Sequence, residues 1–237
     1  MCHRCATLIF LSAPSFGLPC TSAHPGLCHS GSRLPTLSHL YGRTSPCGTL
    51  TSTSQHDQRI LAKLTHEVQY DALTHARNWA TFRSDLNDTF DNHDDHPLAL
   101  ITIDVDHFKQ INDTYGHLMG NQTLIAFSRQ LKQLLSNQND SYKFYRTGGE
   151  EFAILLPNTS LDTARKVVHD CQLALKTLAI PLTEGQLQVT ASFGLAVANP
   201  NDNSATNFFK RSDRYLYQSK NNGRDRLTDE STDTDLS

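Results

Sequence analysis

The sequence predicts an α/β sandwich built on a mixed or antiparallel sheet, and three observations carry that prediction. Leu98 to Val105, "LALITIDV", is a near-continuous apolar run of strand length, which reads as a central strand buried on both faces. "SYKFYRT" and "EEFAILLP" are two further strand-like runs joined through Gly148-Gly149, which makes them a hairpin. Helical patterns alternate with these runs in the order strand, helix, hairpin, helix, strand, helix. Alternation that includes a hairpin argues against a doubly wound parallel sheet. No Gly-rich phosphate loop of the P-loop or dinucleotide type competes with this reading.

The elements follow in chain order. Residues 1–53 contain no acidic residue, are dominated by Ser, Thr, Pro, Gly, His and Cys, and hold five of the six cysteines. Such a stretch buries too little apolar surface to offset its ordering entropy, so it is expected to be a disordered leader or translated sequence ahead of the true start. Two alternatives stay open. Cys2-x-x-Cys5 has metal-ligand spacing with His3, His24 and His29 nearby, but no second tight pair completes a tetrahedral set. Arg4 before a short apolar core also allows a signal peptide.

From Ser54 the pattern is helical. Ile60, Leu61, Leu64, Val68 and Leu73 fall at spacings of three and four, so 54–70 reads as a linker helix with a narrow apolar stripe suited to pairing with another helix. A second helix runs from Asn78 to Phe90, and "DNHDDHP" breaks it. The central strand then ends in acid, at Asp104 and Asp106. "HFKQINDTYGH" is a short helical turn and loop, and Leu118 to Leu135 is a long amphipathic helix. The glycine pair of the hairpin is expected to use the positive φ of a tight turn. Ser160 caps a helix reaching Leu178, in which Cys171 is a packing residue. "QLQVTASFGLAVA" is a strand kinked or bulged at Gly194. The last helix, "ATNFFKRSDRYLYQSKNNG", stops at Gly223.

Bulk properties exclude some functions. The net charge of −3 gives no whole-protein basic field for nucleic acid. No apolar run reaches the roughly 18 residues of a membrane span.

The chemistry gathers around "RTGGEEF", Arg146 to Phe152. Asp104 ends the central strand, and Glu150 and Glu151 sit at the turn of a hairpin that neighbours it. Carboxylates that converge without a cation raise each other's pKa. A hard divalent ion resolves the conflict, usually Mg²⁺ where phosphates complete its shell. Alternate strand residues face opposite ways, so Glu150 and Glu151 need not share one ion. Arg146 is placed to pair with these acids. Phosphate needs positive partners: Lys109 lies one helical turn beyond the acidic strand end, and Lys220 and Arg224 flank "NNG". There they suit the helix dipole equally well. Amides around His107 and Phe108 are candidates for an anion-binding nest.

"DVDHFKQINDTYGH" followed by "RTGGEEF" resembles the GGDEF domain of diguanylate cyclases, as do "DALTHARN", "VTASFGLAVA" and "DRYLYQSKNNGR". The resemblance places a catalytic domain at 71–228 and leaves 229–237 as a disordered tail. It implies a fold like the palm of nucleotide cyclases and polymerases: a central, mostly antiparallel five-stranded sheet with helices on both faces. It further implies condensation of two GTP into cyclic di-GMP with release of pyrophosphate, two Mg²⁺ per site (or Mn²⁺), a catalytic homodimer, and a cytoplasmic setting because GTP is the substrate; the alternative is a non-catalytic signalling module that binds GTP or a cyclic dinucleotide. Position by position, Asp104, the Val105 carbonyl, Glu150 and Glu151 match the metal ligands, with Glu150 also proposed as the base. Lys109 matches the lysine that stabilises phosphate charge, beside the Phe108 amide. Asn112 matches the guanine-reading asparagine, with His117 in the same nucleotide-facing segment. Lys220 and Arg224 match the phosphate-gripping pair, and the linker helix matches the one that controls pairing of the domains.

Three departures matter. The family's "GHxxGD" reads Gly116-His117-Leu118-Met119-Gly120-Asn121. The expected aspartate accepts from two adjacent guanine donors, whereas an amide offers one acceptor and one donor and matches adenine better. Asn121 therefore predicts weakened GTP affinity or relaxed base choice, unless it reorients and still reads guanine. The Arg-x-x-Asp product-inhibition site is replaced by Asn139-Asp140-Ser141-Tyr142, which predicts no inhibition through it. "LTHARNW" replaces the usual Gly-Leu and the Arg after Asn78, so His75, Ala76 and Trp79 are expected to alter domain packing or dimer contacts.

Overall fold

The computed structural model describes residues 68–93 and 96–233, preceded by Asp57, Arg59, Ile60 and Leu64. The expectations for 1–53, and for the end of the chain at 234–237, lie outside the described residues. Within the linker, Asp57, Arg59, Ile60, Leu64, Val68 and Gln69 are helical. Ile60, Leu64 and Val68, each four residues apart, leave their apolar side chains exposed.

The domain then enters through a wide turn. Asp71 accepts from the amide and hydroxyl of Thr74, and Arg77 bonds through its backbone to Phe144 and Arg146 at the sheet edge. His75 stands in the left-handed region, φ 54, where the family's glycine would sit without strain. Helix α1, Trp79–Asp91, starts on Asn78, whose side chain accepts from the Thr81 amide. Strand β1 is Ala99–Val105. Helix α2, Phe108–Gln138, is broken at Gly116 (φ 82, ψ 160) into the expected short turn of helix and a long helix. Strands β2, Lys143–Arg146, and β3, Glu151–Leu156, form the hairpin. Helix α3, Leu161–Lys176, is capped by Ser160 and buries Cys171, whose thiol burial pushes up to about 12. A two-residue ribbon, β4 (Ile180–Pro181) with β5 (Gln186–Leu187), precedes β6, Ala191–Val197. Helix α4, Ala205–Asn221, is followed by β7, Leu227–Thr228, and a last turn α5, Glu230–Asp233.

The sheet order is β2-β3-β1-β6-β7, antiparallel throughout except for the parallel pair β6–β7. The central strand is paired on both sides and buried on both faces, as its continuous apolar run predicts. Helices α2 and α3 cover one face through Phe127, Leu131, Val168 and Cys171. Helices α1 and α4 cover the other through Phe82, Leu86, Phe208 and Tyr215. The expected five-stranded, mostly antiparallel sandwich is the fold observed.

Three local expectations change, and the packing of Trp79 is defined. Gly194 is not a bulge, because the β1–β6 register passes through it without a skipped residue. A Cβ there would lie 2.9 Å from the Leu216 Cα, and closer still to the Ser212 carbonyl oxygen and the Leu216 amide nitrogen, so the glycine lets α4 lie directly on the strand. Gly148 and Gly149 are not among the positive-φ glycines, which among the described residues are Gly116, Gly185 and Gly223. A side chain at Gly148 would meet the Glu151 carboxylate at 2.5 Å, so this glycine makes room for an acid rather than for a turn conformation. Trp79 packs on Phe82 and Phe209 while staying partly exposed. Finally, order continues past 228: buried Asp229 pairs with Arg165 at 2.7 Å, and Glu230 pairs with Arg211 at 2.8 Å.

Candidate active site

The sheet register assembles the acids. Asp104 lies directly opposite Glu151 across β1 and β3, and the Val105 N–H donates to the Glu150 carbonyl at 3.2 Å. The hairpin therefore ends level with the end of β1, and the carboxylates gather at that edge. Helix α4 brings the cation: Lys220 Nζ is 2.7 Å from Asp104 Oδ2. Burial pushes the Asp104 carboxyl above its ordinary value, Lys220 works against that, and the charges of Glu150 and Glu151 add to the rise.

A metal fits this edge by its chemistry. The donors are carboxylate and carbonyl oxygens, and the half-buried member of the set, Asp104, already holds a positive group against it. Among the described residues no group of three or more His, Cys, Asp and Glu closes into a cage. Mg²⁺ does not require one, since it is typically held by one or two carboxylates plus substrate phosphates and water.

Next to the acids a helix begins without a side-chain cap. His107 is left-handed (φ 56), α2 begins at Phe108, and no side chain caps that N-terminus. Its first amides therefore point outward without a side-chain acceptor. Lys109, one residue on, is exposed. Arg224 sits in an exposed loop beyond α4 with φ 62, directly after Gly223 at φ 108.

Asn112 folds back along the helix. A Cβ on Gly120 would be 2.9 Å from Asn112 Cγ, with Oδ1 nearer still, so the amide lies on the backbone next to Asn121. The two asparagines are thus close to each other, across the break at Gly116. His117 and Asn121 are exposed.

Arg146 does not pair with Glu150 or Glu151. It bonds Asp71 at 2.8 Å and donates from Nε and Nη2 to the Gly149 carbonyl, at 3.1 and 2.7 Å. It therefore clamps the turn that carries the acids to the domain entrance. Asp71 was missed as a site-supporting residue because no local signal links it to Arg146, which lies 75 residues away in the chain.

The family model for the diguanylate cyclase GGDEF domain matches residues 68–226. The diguanylate cyclase VdcA of Vibrio cholerae is 35% identical over 170 residues, covering 70% of this chain and 48% of that protein. The chain spans about half the length of the curated relatives it matches. Among solved structures, the GGDEF domain of DgcB from Caulobacter crescentus in complex with c-di-GMP superposes with a TM-score of 0.64 at 27% identity, covering 68% of this chain and 92% of that one. The active GGEEF domain of a diguanylate cyclase from Vibrio cholerae gives 0.55 at 31% identity, covering 64% and 92%.

Proposed function

This chain belongs to the GGDEF family, and we propose that it condenses two GTP into cyclic di-GMP with release of two pyrophosphates, at the face between two copies of the domain. The observation that carries this reading is the edge where Asp104, opposite Glu151 and beside Glu150, meets the ammonium of Lys220. A purely structural domain has no need to bury a carboxylate among other acids and supply it with a cation from another helix. The active Vibrio cholerae domain, with its GGEEF sequence, supports glutamate as a working residue at the third position.

In each half-reaction the 3′-hydroxyl of one GTP attacks the α-phosphate of the other. The hydroxyl loses its proton, a P–O bond forms, and pyrophosphate leaves. Such transfers depend mainly on in-line positioning and charge stabilisation. Lys109, Lys220, Arg224 and the amides at the start of α2 grip the phosphates. Glu150 accepts the hydroxyl proton, and Asn112 reads the guanine. Asp104, Glu150, Glu151 and the Val105 carbonyl are the groups that would hold Mg²⁺ or Mn²⁺, which supplies charge neutralisation on the phosphates. Each domain presents one GTP, so ring closure needs a homodimer, and the exposed Ile60-Leu64-Val68 stripe is suited to pairing the linker helices. The test is to incubate purified protein with GTP and Mg²⁺. Cyclic di-GMP should form with wild-type protein and be abolished in Glu150→Ala; equal product without Glu150 refutes the mechanism.

Product feedback through the usual site is not expected. Asn139, Asp140 and Tyr142 line a cleft beside Arg77, Lys132 and Lys143. Those cations are already engaged: Arg77 and Lys143 on Asp85, and Lys132 on the His75 carbonyl. Cyclic di-GMP binding that survives mutation of the catalytic edge would refute this. Asn121 favours a second reading, relaxed base choice, because its amide cannot accept from both guanine donors. Asn121→Asp should then tighten GTP binding and remove adenine-containing product from GTP–ATP mixtures; no change in either sinks it.

A further inference from the structure

Asp106 lies two residues past the candidate metal ligand Asp104, and no role above uses it. It is 3% exposed. Its Oδ1 accepts from Ser192 Oγ at 2.6 Å, and its Oδ2 accepts from Thr190 Oγ1 at 2.7 Å and from the Asp225 amide at 3.0 Å. Two of these donors are hydroxyls at the start of β6. The third is a backbone amide in the loop that carries Arg224.

That loop is unusual. Gly223, Arg224 and Asp225 have φ 108, 62 and 43, three consecutive left-handed residues of which two are not glycine. L-residues avoid this region, so the conformation persists only where surrounding bonds over-determine it. The loop is exposed and has little packing to hold it. Its fixed points are hydrogen bonds: Arg224 N–H to the Ser219 carbonyl at 3.0 Å, Asp225 N–H to Asp106, and, from within the loop, Arg226 Nε to the Arg224 carbonyl at 3.0 Å. The first two tie the peptide groups on either side of the Arg224 Cα, one to α4 and one to the end of β1.

We propose that Asp106 is a positioning residue: its carboxylate holds the Gly223–Asp225 loop in the left-handed conformation that presents Arg224 to the substrate phosphates. The proposal rests on the cyclase reading for what Arg224 grips. Asp106 acts through an acceptor oxygen on a backbone amide, so its charge is not what the loop needs. In Asp106→Asn, the amide oxygen can still take the Asp225 N–H, while its NH₂ donates to Ser192 Oγ, a hydroxyl that can reverse its role.

The test compares Asp106→Ala, Asp106→Asn, Arg224→Ala and the double alanine variant, by GTP affinity with Mg²⁺, by kcat and KM, and by thermal unfolding. Asp106→Ala should weaken GTP binding and raise KM by the factor seen in Arg224→Ala, on the order of tenfold to a hundredfold for a group displaced by about 1 Å. The double variant should be no worse than Arg224→Ala, because both changes remove one interaction. Asp106→Asn should bind GTP nearly as wild type does. A merely structural role would lower the melting temperature and the active fraction without moving KM or GTP affinity, and it would multiply with Arg224→Ala. Either of those results overturns the proposal, as does an Asn variant as weak as the Ala variant. Should Asp106→Ala not fold, the Asn variant decides alone. Wild-type protein that binds GTP but yields no cyclic di-GMP would overturn the cyclase reading and leave the positioning role to be settled by the affinities. Wild-type protein that binds no GTP overturns both.

Discussion

Gly194→Ala places one methyl group between the sheet and α4. The new Cβ would sit 2.9 Å from the Leu216 Cα and nearer to two backbone atoms, so no side-chain rotation relieves the clash. Carbon–carbon contacts settle at about 3.5–4.0 Å, so the Leu216 Cα alone asks α4 to lift by roughly 0.6–1.1 Å, and the two nearer backbone atoms bring the lift to about 1 Å or more. Overpacking of this kind costs about 1–3 kcal/mol, and the rigidity of the obstructing backbone points to the upper half. For a domain of this size that is a fall in melting temperature of roughly 4–12 °C. The lift also reaches the site, because Lys220 is one turn beyond Leu216 and its 2.7 Å bond to Asp104 has little room to stretch before passing about 3.2 Å. The assay pairs thermal unfolding with initial rates of cyclic di-GMP formation, and kcat/KM should fall by about tenfold or more. Gly149→Ala is the control: its Cβ meets nothing within 4 Å and the residue lacks positive φ, so stability should hold or rise by up to about 0.4–1 kcal/mol. An unchanged melting temperature in Gly194→Ala, or an equal loss in Gly149→Ala, would refute the close-approach account.

Gly120→Ala should do the reverse of Gly194→Ala. Alanine favours the helix by about 1 kcal/mol, yet its Cβ displaces the Asn112 amide, so the melting temperature should hold or rise while KM for GTP increases. Arg146→Ala leaves the Gly149 carbonyl and Asp71 without their charged donor, and should cost about 1.5–3 kcal/mol in urea unfolding. Arg146→Lys should recover part of that stability and less of the activity, since an ammonium can meet Asp71 but cannot reproduce the fork on Gly149. Acid should weaken the fold through Asp71 and Asp229. Burial raises both carboxyls, but bonds from Thr74 and Arg146, and from Arg165 and Ser231, outweigh it and leave both below the ordinary 3.8. With the folded value below the unfolded one, their contribution is present above the unfolded value, about pH 4, and is lost as the pH falls from there through the lower folded value. Urea titrations across this range should flatten in Asp71→Asn and Asp229→Asn.

What could be read in the sequence was whatever local chemistry determines. The cap Ser160 follows from one side chain meeting a nearby amide, and the central strand follows from a near-continuous apolar run over eight positions. The glycines were harder. A glycine in a strand says that a side chain is not tolerated, but a bulge and a helix lying on the strand leave the same mark; only Ser212 and Leu216 distinguish them at Gly194. Strand β7 has two residues and therefore no period to detect. Asp229 and Glu230 looked like the start of a polar tail because their partners, Arg165 and Arg211, lie on α3 and α4.

The candidate site divides along the same line. Each of its parts has an ordinary explanation when taken alone: acids at a solvated hairpin, an aspartate at a strand end, a lysine favoured by a helix C-terminus. The register removes those explanations together. Once Asp104 faces Glu151 and Val105 bonds to Glu150, the acids can no longer be independent surface charges. Once Lys220 reaches across to Asp104, it does more than complement its own helix dipole, because a solvated lysine gains little from a dipole and much from a half-buried carboxylate. Arg146 is the counterexample that calibrates the argument. It sits closest in sequence to the two glutamates and pairs with neither, since β2 and β3 aim it at Asp71 and at the carbonyl of the turn. Proximity in sequence therefore misassigned the one cation inside the signature, while Lys220, more than sixty residues from it on α4, is the one that reaches Asp104.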